Sequence, residues 1–170
     1  EGPAGEDYRK RKLLEHYLEP VALKGDLKVM DVRLLLCLCE KHEWDSRREL
    51  ADFAGITRTN LTSGLQRLTM KGFLKVEEVK EPRPSKKDKT TGKNKMKTAE
   101  MAETKRKERG GRIAATILPA ADAIMKELKM AQRDYDAARF AGFTEEELIQ
   151  YADLSEKIKE NTKNILYFLN

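Results

Sequence analysis

The sequence predicts a mainly α fold with a small β wing, a winged helix-turn-helix that dimerises through its N- and C-terminal helices. Three observations carry this expectation. Apolar residues recur at steps of three and four along most of the chain, the spacing of one helical face. A short helix, a glycine and a second helix follow one another between Arg47 and Gly72. Two strand-like runs, Phe73–Val79 and Arg112–Leu118, then flank a lysine-rich insertion.

The elements are read in chain order. Glu1 to Gly5 reads as a disordered end. From about Asp7 to Leu23, residues Leu13, Leu14, Tyr17, Leu18 and Val21 form one apolar stripe, with Pro20 expected to kink or stop the helix. Gly25 and Asp26 form a break. The run from Val29 to Cys39 is too apolar for a surface helix and is expected to be a central core helix ending near His42. Asp45 or Ser46 can cap a short helix, Arg47 to Ala54, which Gly55 stops by tolerating positive φ. Ile56 plugs inward, and Thr57 caps a second helix from Arg58 to Lys71 that Gly72 ends. Its buried face carries Leu61, Leu65 and Leu68. Beyond the strands, Pro119 sits where a first helical turn accepts proline, opening a long helix with Ile124, Leu128, Ala131, Tyr135 and Ala138 inward. Gly142 breaks it. Thr144 and Glu147 have capping-box spacing for a last helix bearing Leu148, Tyr151, Leu154, Ile158, Ile165, Leu166 and Leu169.

Three segments follow: an N-terminal dimerisation helix over 1–25, a winged helix-turn-helix lobe over 26–118, and C-terminal dimerisation helices over 119–170. The chain has 170 residues, of which 39% are apolar and 37% charged. A single copy therefore buries a thin core, and pairing completes it. The formal net charge of +5 favours an anionic partner. The basicity is local: Lys80 to Arg112 holds 13 Lys/Arg against 5 Asp/Glu, a net of +8, so the rest of the chain stands at −3. No apolar stretch approaches the roughly 20 residues of a membrane span and no signal-peptide pattern is present, so the expected location is the cytoplasm, with no membrane partner.

The segment from Glu49 to Leu68 carries the chemistry. Ala51 is small where two helices cross, Gly55 makes the turn and Ile56 anchors it. The exposed face of the second helix is expected to present Thr57, Arg58, Thr59, Asn60, Thr62, Ser63, Gln66 and Arg67, hydrogen-bonding side chains that suit base edges and phosphates. No acidic residue occurs from Thr57 to Val76, as a surface facing phosphate requires. The plainer reading is an αα-hairpin with a solvated face; the strand, basic insertion and second strand that follow argue against it.

These residues resemble those of the MarR family of bacterial regulators. Leu50-Ala51 through Gly72, then Phe73-Leu74, follows the family's order of leucine-alanine, small turn, recognition helix and terminal glycine. Thr57-Arg58-Thr59 and Thr62 match the start of the recognition helix, and Arg67-Leu68 its arginine-leucine pair. Ile117-Leu118-Pro119 to Leu128 and Phe143 to Leu148 match the post-wing segment and the start of the last helix. The resemblance spans about residues 10–169. It departs at Lys28, where the family has a capping threonine, so Asp26 is expected to cap instead. It departs also at Ser63 and Gly64, which replace larger residues, and in the length of the wing, whose Glu108-Arg109 only loosely matches an Asp-Arg pair. The resemblance implies a homodimer on a near-palindromic double-stranded operator. It also implies a possible small-molecule effector acting near the junction of dimer and DNA lobe.

Cys37 and Cys39, two residues apart on a helix, point nearly opposite ways and are not expected to bond to each other; they read as reduced thiols packed in the core, with oxidant sensing as the sharper alternative. His16 and His42 have no ligand-spaced partner, and Trp44 is expected to pack at a helix junction. No nucleotide-binding glycine loop or catalytic triad is visible, so no cofactor and no enzymatic activity are expected. The insertion is too poor in apolar residues to order itself. It is a linker, or a long wing in which Lys86, Lys87, Lys89, Lys93, Lys95, Arg109 and Arg112 meet phosphates and the minor groove. Its tip, Ser85 to Asn94, is expected to move freely without DNA, and Thr98 to Arg109 to form a helical turn or two. The expected function is a sequence-specific, ligand- or stress-responsive repressor. The alternative is an architectural or protein-interaction module that binds nucleic acid without sequence preference.

Overall fold

The computed structural model describes residues 2–79 and 111–170. Residues 80–110, with the expected tip and helical turns, Lys86, Lys87, Lys89, Lys93, Lys95 and Arg109, lie outside the described residues. Helix α1 runs Pro3–Lys24, α2 Val29–Glu40, α3 Arg47–Ala54, α4 Arg58–Met70, α5 Asp122–Arg139 and α6 Glu145–Leu169. Strands β1 (Glu43–Trp44), β2 (Leu74–Val79) and β3 (Arg112–Ile117) form one antiparallel sheet in the order β1-β3-β2. Leu74 pairs with Ile117 at one end of the β2–β3 ladder and Val79 with Arg112 at the other.

The core gathers on α2, as its long apolar run requires. Val32, Leu34, Leu35, Leu36 and Leu38 are all buried, and α2 meets α1, α3, α4, α5 and β3. Around it pack Leu18 of α1, Leu50 of α3, Leu61 and Leu68 of α4, Leu74 and Ile113 of the sheet, and Leu128 of α5. Trp44 is buried in β1, its ring 4.7 Å from that of Phe53, with the Lys41 ammonium 4.3 Å from its centroid.

Several expectations are corrected. The first helix begins at Pro3, with proline at its first turn, so the expected disordered end is already helical from there. Pro20 does not stop the helix. Its missing N–H orphans the His16 carbonyl on the exposed side, where water can serve it, while Val21 and Ala22 are buried and hold the last turn in place. Asp26 does not cap α2: it lies at φ 50 after the break, and Asp31 accepts the Lys28 backbone N–H at 3.1 Å from within the first turn. The helix ends at Glu40, two residues before His42. Pro119 opens a 3-10 turn, Pro119–Ala121, before α5 begins. Cys37 is half-buried, but Cys39 is exposed rather than packed in the core, because residues two apart on a helix point nearly opposite ways. Burial raises both thiol pKa values above the ordinary thiol value, which disfavours the reactive thiolate.

Among the described helices, α6 alone buries nothing. Leu148, Tyr151, Leu154, Ile158, Ile165, Leu166 and Leu169 are all exposed. The helix is nonetheless well started: Thr144 Oγ1 accepts the Glu147 N–H at 3.2 Å, and Glu147 accepts the Thr144 N–H at 2.9 Å. Among the described residues, no helix is long and apolar enough to cross a membrane.

Candidate nucleic-acid interface

Local chemistry ends α3 and starts α4 across a short turn. Ser46 Oγ accepts the Glu49 N–H at 3.1 Å, while Glu49 accepts the Asp45 N–H at 2.6 Å and the Lys41 ammonium at 3.0 Å. Those donors lower the Glu49 carboxyl pKa below its ordinary value, the Asp45 amide most and Lys41 next. Gly55 adopts φ 65 and ψ 37, a left-handed conformation open to glycine without strain. The Ile56 N–H then returns to the Ala51 carbonyl at 3.0 Å and closes α3. Arg33 of α2 braces this end by donating to the Ala54 carbonyl at 3.3 Å.

Thr57 caps α4 through the Asn60 N–H at 3.2 Å. Leu61, Gly64, Leu65 and Leu68 face inward, which turns Thr57, Arg58, Thr59, Asn60, Thr62 and Gln66 out to solvent. Ser63 is half-buried at the flank of that face. Arg112 opens β3 opposite Val79, exposed beside the same lobe.

Arg67 departs from its expected place. It does not join the exposed polar face but turns inward, and its guanidinium holds the fully buried Asp31 of α2. Gly64 allows the approach. A Cβ there would lie 3.2 Å from Asp31 Oδ1 and 3.3 Å from Leu34 Cδ2, tighter than ordinary packing. The glycine that interrupts the sequence pattern therefore serves close contact of α4 with α2.

Carboxylates near the face are paired. Glu78 of β2 takes the Arg47 Nε–H, Glu77 takes Lys75 at 2.8 Å, and Asp45 lies 3.7 Å from Arg112. Arg47 also donates to Thr62 Oγ1 at 3.1 Å. Sequence reading missed Arg47, which is marked only by following the Ser46 cap. The whole surface is a helix end lined with hydroxyl, amide and guanidinium groups, beside a two-stranded ladder whose acids are neutralised.

Two helices joined by a left-handed glycine, with an antiparallel ladder beside the second, define a winged helix-turn-helix fold. It is the fold of the MarR-type transcriptional regulators. A MarR-family regulator from Silicibacter pomeroyi is similar at 18% identity, over 90% of this chain and 84% of that one, with a TM-score of 0.60. A MarR regulator from Methanosarcina mazei Go1 is similar at 12% identity, over 95% and 90%, with a TM-score of 0.61. BpsR of Bordetella bronchiseptica, whose DNA binding is regulated by 6-hydroxynicotinic acid, is similar at 13% identity, over 92% and 97%, with a TM-score of 0.54. No family model matches the chain, and neither does any curated protein.

Proposed function

We propose that this chain is a sequence-specific regulator of transcription, binding a near-palindromic double-stranded operator as a homodimer. The observation that carries the reading is the outward face of α4. Thr57, Arg58, Thr59, Asn60, Thr62 and Gln66 are all exposed there, with no carboxylate among them. Such a face suits the major groove, whose base edges offer donors and acceptors in a distinct pattern for each pair. The bare apolar stripe of α6 supports pairing, because a second copy buries its own equivalent stripe against it. The basic stretch from Lys80 to Arg112 suits the flanking phosphates.

As part of the same proposal, a small effector is assigned to an open cleft. A cleft of about 480 Å³ opens between α1, α2 and the turn after α3, lined by Lys12, Glu15, His16, Met30, Arg33 and Ile56. Arg33 links all three walls: it braces the Ala54 carbonyl and lies 3.5 Å from Glu15. A ligand anion competing for Arg33 would loosen the end of α3 and shift the recognition helix.

The test is to compare affinity for the best-bound genomic site with affinity for unrelated DNA at fixed salt. A regulator shows a ratio of about 10³ or more. A ratio near one supports the architectural module instead.

A further inference from the structure

We infer that Arg47 is a specificity-determining positioning residue, which fixes the Thr62 hydroxyl as a hydrogen-bond donor toward a base acceptor in the major groove. The inference rests on the DNA-binding reading proposed above.

Arg47 is the first residue of α3, directly after the Ser46 cap. Its Nη1 donates to Thr62 Oγ1 at 3.1 Å, and its Nε donates to the Glu78 carboxylate on β2. One guanidinium thus ties the recognition helix to the base of the wing. A guanidinium offers donors only. The oxygen of Thr62 is therefore the acceptor in that bond, and its own proton must point elsewhere.

Two other helical threonines dispose of that proton locally, whereas Thr59 of α4, like Thr62, makes no such bond among the described residues. Thr69 gives it to the Leu65 carbonyl at 2.7 Å, and Thr162 to the Ile158 carbonyl at 2.8 Å. Thr62 is exposed on the face that would enter the groove. A positive charge on its oxygen polarises the O–H further and weakens the oxygen as a second acceptor. The groove offers matching acceptors at guanine O6 and N7, adenine N7 and thymine O4, and a mismatched donor at the cytosine amino group. Glu78 keeps the guanidinium aimed, and the pairing keeps a bare carboxylate away from the DNA phosphates.

The experiment selects binding sites from a random double-stranded DNA library with the wild-type chain, Arg47→Met, Arg47→Lys, Thr62→Val and the Arg47→Met/Thr62→Val double variant. Circular dichroism confirms folding. Arg47→Met and Thr62→Val are expected to lose discrimination at the same base pair, by about three- to tenfold for one hydrogen bond, with other positions unchanged. The double variant should lose no more there than either single one. Arg47→Lys, which retains the charge but cannot span both partners, should also lose the preference while keeping the salt dependence. It serves as the folded control if Arg47→Met does not fold. The inference is overturned if Arg47→Met weakens all sequences by a common factor with preference intact, the behaviour of a phosphate contact. It is overturned equally if the affected base pair differs from that of Thr62→Val. If the wild-type chain enriches no sequence at all, the regulator reading fails together with the inference.

Discussion

Arg67 on α4 grips the buried carboxylate of Asp31 through two hydrogen bonds, Nε to Oδ2 at 2.9 Å and Nη2 to Oδ1 at 2.8 Å. Asp31 is fully buried and also accepts the amide of Lys28, the residue just before α2. One carboxylate therefore starts α2 and sets the rotation of α4 about its axis. Any side chain on the outward face of α4 depends on that setting. Removing one partner of a buried pair leaves the other charge stranded, at a cost of roughly 3–5 kcal/mol. Arg67→Ala strands Asp31 and is expected to lie near the lower end of that range, because Arg67 itself reaches solvent. Arg58→Ala, on the exposed face, should change stability by no more than about 0.5 kcal/mol while weakening DNA binding. Urea unfolding of both variants separates the roles. Unchanged stability in Arg67→Ala, with altered base preference, would return Arg67 to the DNA-reading face.

Local signals were legible in the sequence, and signals between distant residues were not. The caps Thr57 and Thr144, the Gly55 turn and the core run of α2 each depend on neighbours within four or five residues, so spacing alone reveals them. Strand β1 has two residues, too few to show an alternation. Asp31 reads, like Arg33 two residues on, as a polar break in an apolar run, because its partner lies 36 residues further on. The expectation that Arg67 faces outward followed from polarity and missed the buried acid that draws it in. Arg47 needed both Thr62 and Glu78 in place before its role could be seen.

Glu49 should make the short helix α3 sensitive to acid. Its folded pKa is lowered, first by the Asp45 amide and then by Lys41. A depressed carboxyl pKa contributes stability above the unfolded value, and that contribution is lost as pH falls through the folded one. Glu49→Gln is therefore expected to lower the melting temperature at about pH 7, with the gap to wild type closing toward about pH 3. The group is partly exposed, so solvent screening keeps the effect small. Melting curves across that range check it, and a gap that does not change with pH would remove Glu49 from the acid limb.

The exposed stripe on α6 predicts a concentration-dependent assembly. Ile158 is 67% exposed and Leu166 53% exposed in the single chain. Ile158→Asp or Leu166→Asp would place a charge in the interface of the proposed homodimer, an expensive burial without a partner. The single chain should keep its fold, since neither residue belongs to its core. Sedimentation is expected to show a dimer for wild type at micromolar concentration and a monomer for either variant, with operator affinity lost alongside. A wild-type monomer at that concentration would contradict the pairing.

The basic insertion makes the last prediction. Its net charge of +8 outweighs the −3 of all the rest, so nearly the whole attraction to a polyanion resides between Lys80 and Arg112. Charge alone separates a DNA-contacting wing from a linker, through salt. Each phosphate neutralised releases counterions and adds about 0.9 to the slope of log K against log salt. Replacing Lys86, Lys87, Lys89, Lys93 and Lys95 by Ala removes five positive charges while leaving the outward face of α4 untouched. The slope is expected to become shallower by about 0.9 for each of those lysines that meets a phosphate, with affinity falling by a common factor across sequences and base preference preserved. Arg109→Ala and Arg112→Ala test the groove separately. A minor-groove contact there should weaken A·T-rich flanks more than G·C-rich ones, because the narrow A-tract groove has the stronger negative potential. Wild-type slope and affinity in the five-lysine variant would leave the insertion a linker and place all of the DNA contact on α4.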